Sequence, residues 1–120
     1  MEANKKYDLE ERTERFSILV RNYCLQLKRD IINREYIVQL VRSAGSVAAN
    51  YIEAKEHLGP NDLRMRIKIC RKEAKESRLW LKHTLTYGDA AHEQDRLRLI
   101  QESIELEAIF GSILRKLGQA

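Results

Sequence analysis

QLVRSAGSVAANYIEA, residues 39–54, has the pattern of a helix but is thin at its middle. Ser43, Ala44, Gly45, Ser46, Ala48 and Ala49 are all small. Small side chains let helix backbones approach, so the stretch is expected at the tightest point of a helical bundle. Gly45 inside a helix costs about 1 kcal/mol relative to Ala, which a close helix contact would explain. Ile37, Leu40, Val41, Ala44, Val47, Ala48, Tyr51 and Ile52 give this helix a wide apolar face. Its span is read as about 34–57, ended by Leu58-Gly59-Pro60. Glycine suits a left-handed cap there, and proline cannot continue the hydrogen-bond ladder.

Three more helices follow outward from this one. Phe16, Val20, Tyr23 and Leu27 repeat at helical spacing and place a helix at about 9–29, with a frayed start before Tyr7. Ile31–Asn33 is read as the first connection. A third helix runs over about 61–87, with Asn61 as a fair N-cap and Asp62 suited to the helix dipole. Its core seam is Leu63, Ile67, Cys70, Ala74, Ser77, Leu81 and Leu85. The fourth helix, about 91–117, has two apolar faces. One is Leu97, Ile100, Ile104, Ala108 and Gly111. The other is Leu99, Ser103, Leu106, Phe110, Ile113 and Leu117. The fold class is therefore all-α: one domain over residues 1–120, an antiparallel up-down-up-down four-helix bundle with short links.

A helix at the edge of a lone bundle needs only one apolar face. The surplus predicts self-association, with Ile69, Trp80, Leu99, Leu106, Phe110 and Ile113 as the expected contact between copies. Closed dimers or rings are the usual outcomes.

Composition supports this reading. The 120 residues include one proline and five glycines, and 33% are charged, a balance that suits long amphipathic helices. No apolar run reaches the ~18–20 residues of a membrane span. The N-terminus has no apolar region of the secretory kind, so a soluble, cytoplasmic protein without a membrane partner is expected. Cys24 and Cys70 fall on apolar positions and are expected as buried thiols rather than a disulfide.

The net charge of +4 is uneven: residues 60–88 carry 8 basic and 3 acidic groups. Arg64, Lys68, Arg71, Lys75, Arg78 and Lys82 recur at intervals of 4, 3, 4, 3 and 4 and form a basic stripe beside the core seam. Such a stripe can follow a nucleic-acid backbone, RNA or DNA. It can equally be a solvated face neutralised by neighbouring carboxylates. No stacking aromatics accompany it in the sequence, so weak, salt-sensitive and sequence-tolerant binding is expected. Arg42, Asn50, Glu53, Glu73 and Ser77 form a second group, read as a buried polar network fixing helix register, with Arg42 or Arg71 as partner to Glu53. A metal or acid–base role for Glu53 and Glu73 lacks support, because ferritin-like sites need Glu-x-x-His on facing helices and no such pattern occurs. No nucleophile elbow, phosphate-cradling loop or zinc spacing is present, so no catalytic residue, metal or cofactor is expected.

FSILVRNYCLQL from Phe16, QLVRSAGSVAANYIEA from Gln39, KEAKESRLWL from Lys72 and SILRKL from Ser112 occur in this order. Together they resemble the bacterial four helix bundle protein family, the intervening-sequence proteins of 23S ribosomal RNA genes. The blocks S-x-x-A-N-x-x-E-A (Ser46, Ala49, Asn50, Glu53, Ala54) and K-E-A-x-E-S-x-x-W-L carry most of the likeness. The resemblance implies a homopentameric ring. It also implies kinship with the accessory variability protein of diversity-generating retroelements, a basic pentamer that binds nucleic acid and a reverse transcriptase. On that pattern, a scaffold or adaptor for a protein partner is the alternative to direct nucleic-acid binding. The chain departs from many relatives by having Ala54 where they carry glycine, and by lacking an Asp-Leu-x-x-Trp motif in the first helix.

Overall fold

The computed structural model describes residues 8–118; the start before Tyr7 lies outside them. Four helices follow in order: α1 (Leu9–Gln26), α2 (Ile31–Lys55), α3 (Pro60–His83) and α4 (Ala90–Lys116). Each packs on the next and α1 closes on α4, while neither diagonal pair approaches closely among the described residues. This is the up-down-up-down arrangement that short links impose.

The helix ends follow from capping chemistry. Asp8, Asp30 and Asp89 each accept a hydrogen bond from the backbone N–H three residues on, at Glu11, Asn33 and His92. Asp30 explains why α2 begins at Ile31 rather than Arg34: the expected connection Ile31–Asn33 is already the first turn of the helix. At α3 the cap is Gly59, with φ 137° and Pro60 in the first turn, rather than Asn61. Asp62 instead reaches back to accept from the N–H of Leu58 at 3.0 Å. α3 stops at His83, four residues before Tyr87. Thr84 ends it in extended backbone, and its hydroxyl is held between Tyr23 Oη, 2.7 Å away, and Leu81 O at 2.8 Å. Tyr87 then turns with φ 54°, and its hydroxyl donates to Asp30.

Asn33 joins the two turns at this end. It is fully buried. Its Nδ2 donates to Lys28 O at 2.8 Å and to Leu85 O at 3.0 Å, and its Oδ1 accepts from Leu85 N at 2.8 Å. One side chain thus satisfies backbone groups of both the α1–α2 and α3–α4 links.

The core is built from Phe16, Val20, Tyr23 and Leu27 of the first segment, with Leu40, Ala44 and Val47 of α2. Ile67, Cys70, Ala74 and Leu81 of α3 and Leu99, Leu106, Phe110 and Leu114 of α4 complete it. Cys24 and Cys70 are free thiols inside it, and burial pushes both up to about 12, leaving them inert as nucleophiles.

Two expectations about faces are overturned. The wide apolar face of α2 is split. Leu40, Ala44 and Val47 point inward, whereas Val41 and Ile52 share the outer edge with Val38, which is 63% exposed. Gly45 lies on that outer edge, and a Cβ built on it would meet nothing within 4 Å. The small-residue waist is therefore half-turned to the outside, and Gly45 makes no close helix approach within one copy. Gly45→Ala should accordingly raise stability by about 0.5–1 kcal/mol, read as an increase in the urea midpoint; a decrease would mean that another backbone does lie against this position.

On α4 the faces are largely exchanged, although Ile100 and Gly111 of the first face still lie inward. Leu99, Leu106 and Phe110, expected between copies, are buried core of a single chain, and Ile113 packs partly buried against them. Leu97, on the face assigned inward, is 61% exposed and Ile104 is 44% exposed.

Candidate nucleic-acid interface

With Ile67, Cys70, Ala74 and Leu81 facing the core, the opposite side of α3 is set by 3.6-residue periodicity. Lys68, Lys72, Lys75, Leu79 and Lys82 recur there at 4, 3, 4 and 3, with Arg71 beside them. The five cations of this set are exposed and form no hydrogen bond or ion pair with another described residue. Lys72, Lys75, Glu76, Arg78, Leu79 and Lys82 line a shallow furrow of about 510 Å3. Glu76 is its one acidic member.

The stripe of six expected from spacing is thus altered at its flank. Arg64 and Arg78 lean toward α4. Arg64 donates to Leu117 O at 3.3 Å. Arg78, its side chain only 16% exposed, pairs with Glu107 at 2.5 Å and reaches Ser103 Oγ at 3.5 Å. A cation paired in this way has little charge left for a ligand, and breaking the pair would strand a half-buried carboxylate. Lys72 replaces them, a residue the 4–3 count passed over because a second helical row begins at it.

The second expected group does not form one network. Arg42 is exposed and bonds Gln39 Oε1 at 3.0 Å. Glu53 is exposed and has neither Arg42 nor Arg71 as partner; its carboxylate lies 4.0 Å from Arg66. Arg66 is the residue that ties α2 to α3 here: its Nη1 donates to Asn50 Oδ1 at 3.0 Å, and Asp62 lies 3.4 Å from its Nε. Asn50 in turn donates to Ser46 O and Oγ. Further along, Ser77 Oγ shares a 2.8 Å bond with Ser43 Oγ, deep between the helices.

Glu73 stands apart from both. It is only 8% exposed, and its Oε1 is buried without a hydrogen-bond partner. Burial raises its pKa, Glu76 adds to the rise, and Lys72 and Arg42 oppose it. A raised carboxyl pKa means that the folded state favours the neutral form. Stability is therefore lost as pH climbs from the unfolded-state pKa to the folded-state pKa, and stays lost above it. Glu73→Gln should raise the neutral-pH Tm, and this advantage should shrink as the pH falls through the carboxylate range. A constant difference at all pH values would show that charge is not the cause.

Trp80 and Ile69 are partly buried. Trp80 stacks on Tyr36 of α2, with ring centroids 5.9 Å apart and planes 27° from parallel. Its Nε1 is shielded and unpartnered, an omission that typically costs about 1–3 kcal/mol. Tyr36 is 44 residues from Trp80 in the chain, so spacing alone gave no signal of the pairing.

Among the described residues no cluster of His, Cys, Asp and Glu is arranged to hold a metal ion, and no helix is long and apolar enough to cross a membrane. No family model and no curated relative matches the chain. Among solved structures, it is similar to a protein of unknown function from the S23 ribosomal protein family of Bacteroides thetaiotaomicron VPI-5482. The two share 22% identity with a TM-score of 0.72, over 88% of this chain and 96% of that one. The likeness is one of fold. It extends over almost the whole of both chains, so the four-helix arrangement that presents the α3 face is common to the two.

Proposed function

We propose that the protein is a non-enzymatic, self-associating helical bundle that binds nucleic acid through phosphate contacts on the outer face of α3. The reading rests on one observation: Lys68, Arg71, Lys72, Lys75 and Lys82 are exposed together on one helix face, with no hydrogen bond or ion pair to another described residue. Regularly spaced cations along a rod suit a regularly spaced polyanion, and they read charge rather than base order. The S23 ribosomal family name of the similar structure agrees in kind with a ribonucleic partner. Binding of a labelled RNA, followed by anisotropy across a salt series, tests the reading. Affinity should fall steeply with salt, and affinity that stays flat would overturn it.

Self-association is supported by the outward apolar residues Val38, Val41 and Ile52 of α2 and Leu97 and Ile104 of α4, more greasy edge than a lone bundle leaves uncovered. A closed ring, five-membered on the family resemblance, would repeat the basic face around its axis. A 14.1 kDa particle at every dilution in light scattering would refute the assembly.

A further inference from the structure

Resting on the phosphate-binding reading above, we infer that the α3 face takes nucleic acid as a single strand, with bases stacking on an aromatic cluster that adjoins the basic furrow. The cluster is Tyr36, Trp80 and His83. His83 lies 5.0 Å from the Tyr36 ring and 6.3 Å from Trp80, edge-on to the latter. The His83 ring is exposed, and Tyr36 and Trp80 are each partly so. His83 Nδ1 is hydrogen-bonded to Leu79 O at 2.9 Å, and Leu79 and Lys82 both line the furrow. The rings therefore begin where the row of lysines ends, on the side of α3 that faces α2.

That adjacency favours one form of nucleic acid over another. A duplex keeps its base faces inside the stack and can use only the cations. A single strand offers the same phosphates together with open π-faces, and base–aromatic stacking tolerates any sequence. From Lys72 to Lys82 the helix rises about 15 Å, so a strand lying along the lysines arrives at His83 with its next bases free to turn onto the rings. Glu76, between the two sites, repels a strand laid directly across it and keeps the phosphates on the lysine side.

The chain contains a single tryptophan, which makes the test direct. The probes are a short RNA strand of mixed sequence, a single-stranded DNA of the same base order, the matching duplex, and inorganic polyphosphate. Both single strands should bind about tenfold tighter than the duplex and quench Trp80 emission, while polyphosphate binds without quenching. His83→Ala and Tyr36→Leu, the second retaining an apolar contact for Trp80, should each lower single-strand affinity about tenfold against less than about twofold for polyphosphate. Equal affinity for strand and duplex, absent quenching, or variants that weaken all probes alike would each overturn the stacking inference. In those cases salt-sensitive polyphosphate binding would still uphold the phosphate reading. Loss of all polyanion binding by the unaltered protein would remove both.

Discussion

Lys68→Glu, Lys72→Glu and Lys75→Glu, introduced together, should lower affinity for any nucleic acid about a hundredfold at moderate salt and flatten its salt dependence. The expectation follows from counterion release. A site with five free cations on a single strand should show a log–log salt slope near −3.5, so the unaltered protein loses about a hundredfold between about 50 and 200 mM salt. With two cations left, the slope falls to about −1.4 and the loss to less than about tenfold. The helix itself should still form, because these side chains are exposed and hydrogen-bond to no other described residue; the cost falls mainly at Lys72, whose charge offsets that of buried Glu73. Replacing Lys68 and Lys72, four apart on one face, exchanges one like-charge pair for another. Anisotropy titrations at two salt concentrations, with a thermal melt as control, decide it. A triple variant that melts normally and binds like the parent would place the nucleic-acid contact elsewhere or nowhere. Arg64→Gln and Arg78→Gln provide the contrast. Their charges are held by α4, so their loss should reduce stability more than binding.

How much of this could be read from the chain depended on how many apolar faces each helix carries. In α1 and α3 one seam stands out, and Phe16, Val20, Tyr23 and Leu27, then Ile67, Cys70, Ala74, Ser77 and Leu81, are all buried as their spacing predicts, while Leu63 is partly buried and Leu85, beyond the end of α3, is 40% exposed. In α2 periodicity gave one apolar face too wide to show which part turns inward, and in α4 it gave two faces but not which one meets the neighbouring helices. That choice depends on cross-helix register: Phe110 tilts against Tyr51 of α2 with centroids 6.3 Å apart, and nothing local to α4 announces it. The same limit applied to the site. Exposed lysines were legible because a helix facing the core on one side must face water on the other. The capture of Arg78 by Glu107 and the meeting of Tyr36 with Trp80 each join residues on different helices, and spacing within one helix carries no information about them. Gly45 misled for a related reason: a small residue permits a close neighbour without requiring that the neighbour belong to the same chain.

Phe110→Ala should destabilise the fold by about 3–5 kcal/mol, a large share of the roughly 5–15 kcal/mol that holds a domain of this kind together. Phe110 is fully buried, as are Leu106 and Leu114 at either side of it on α4. Truncation removes the apolar surface of the ring and leaves a cavity that side chains fixed on helices cannot collapse to fill. Leu97→Gln with Ile104→Gln makes the opposite prediction. These residues are exposed in a single copy, so the pair should leave the urea midpoint of a dilute sample nearly unchanged, while shifting the particle mass toward the single chain. The two variants therefore separate the face that folds one copy from the face that joins copies. Should Phe110→Ala unfold at the parent's midpoint and only lower the particle mass, Phe110 would lie between copies, and the assignment of α4's inner and outer faces would have to be reversed.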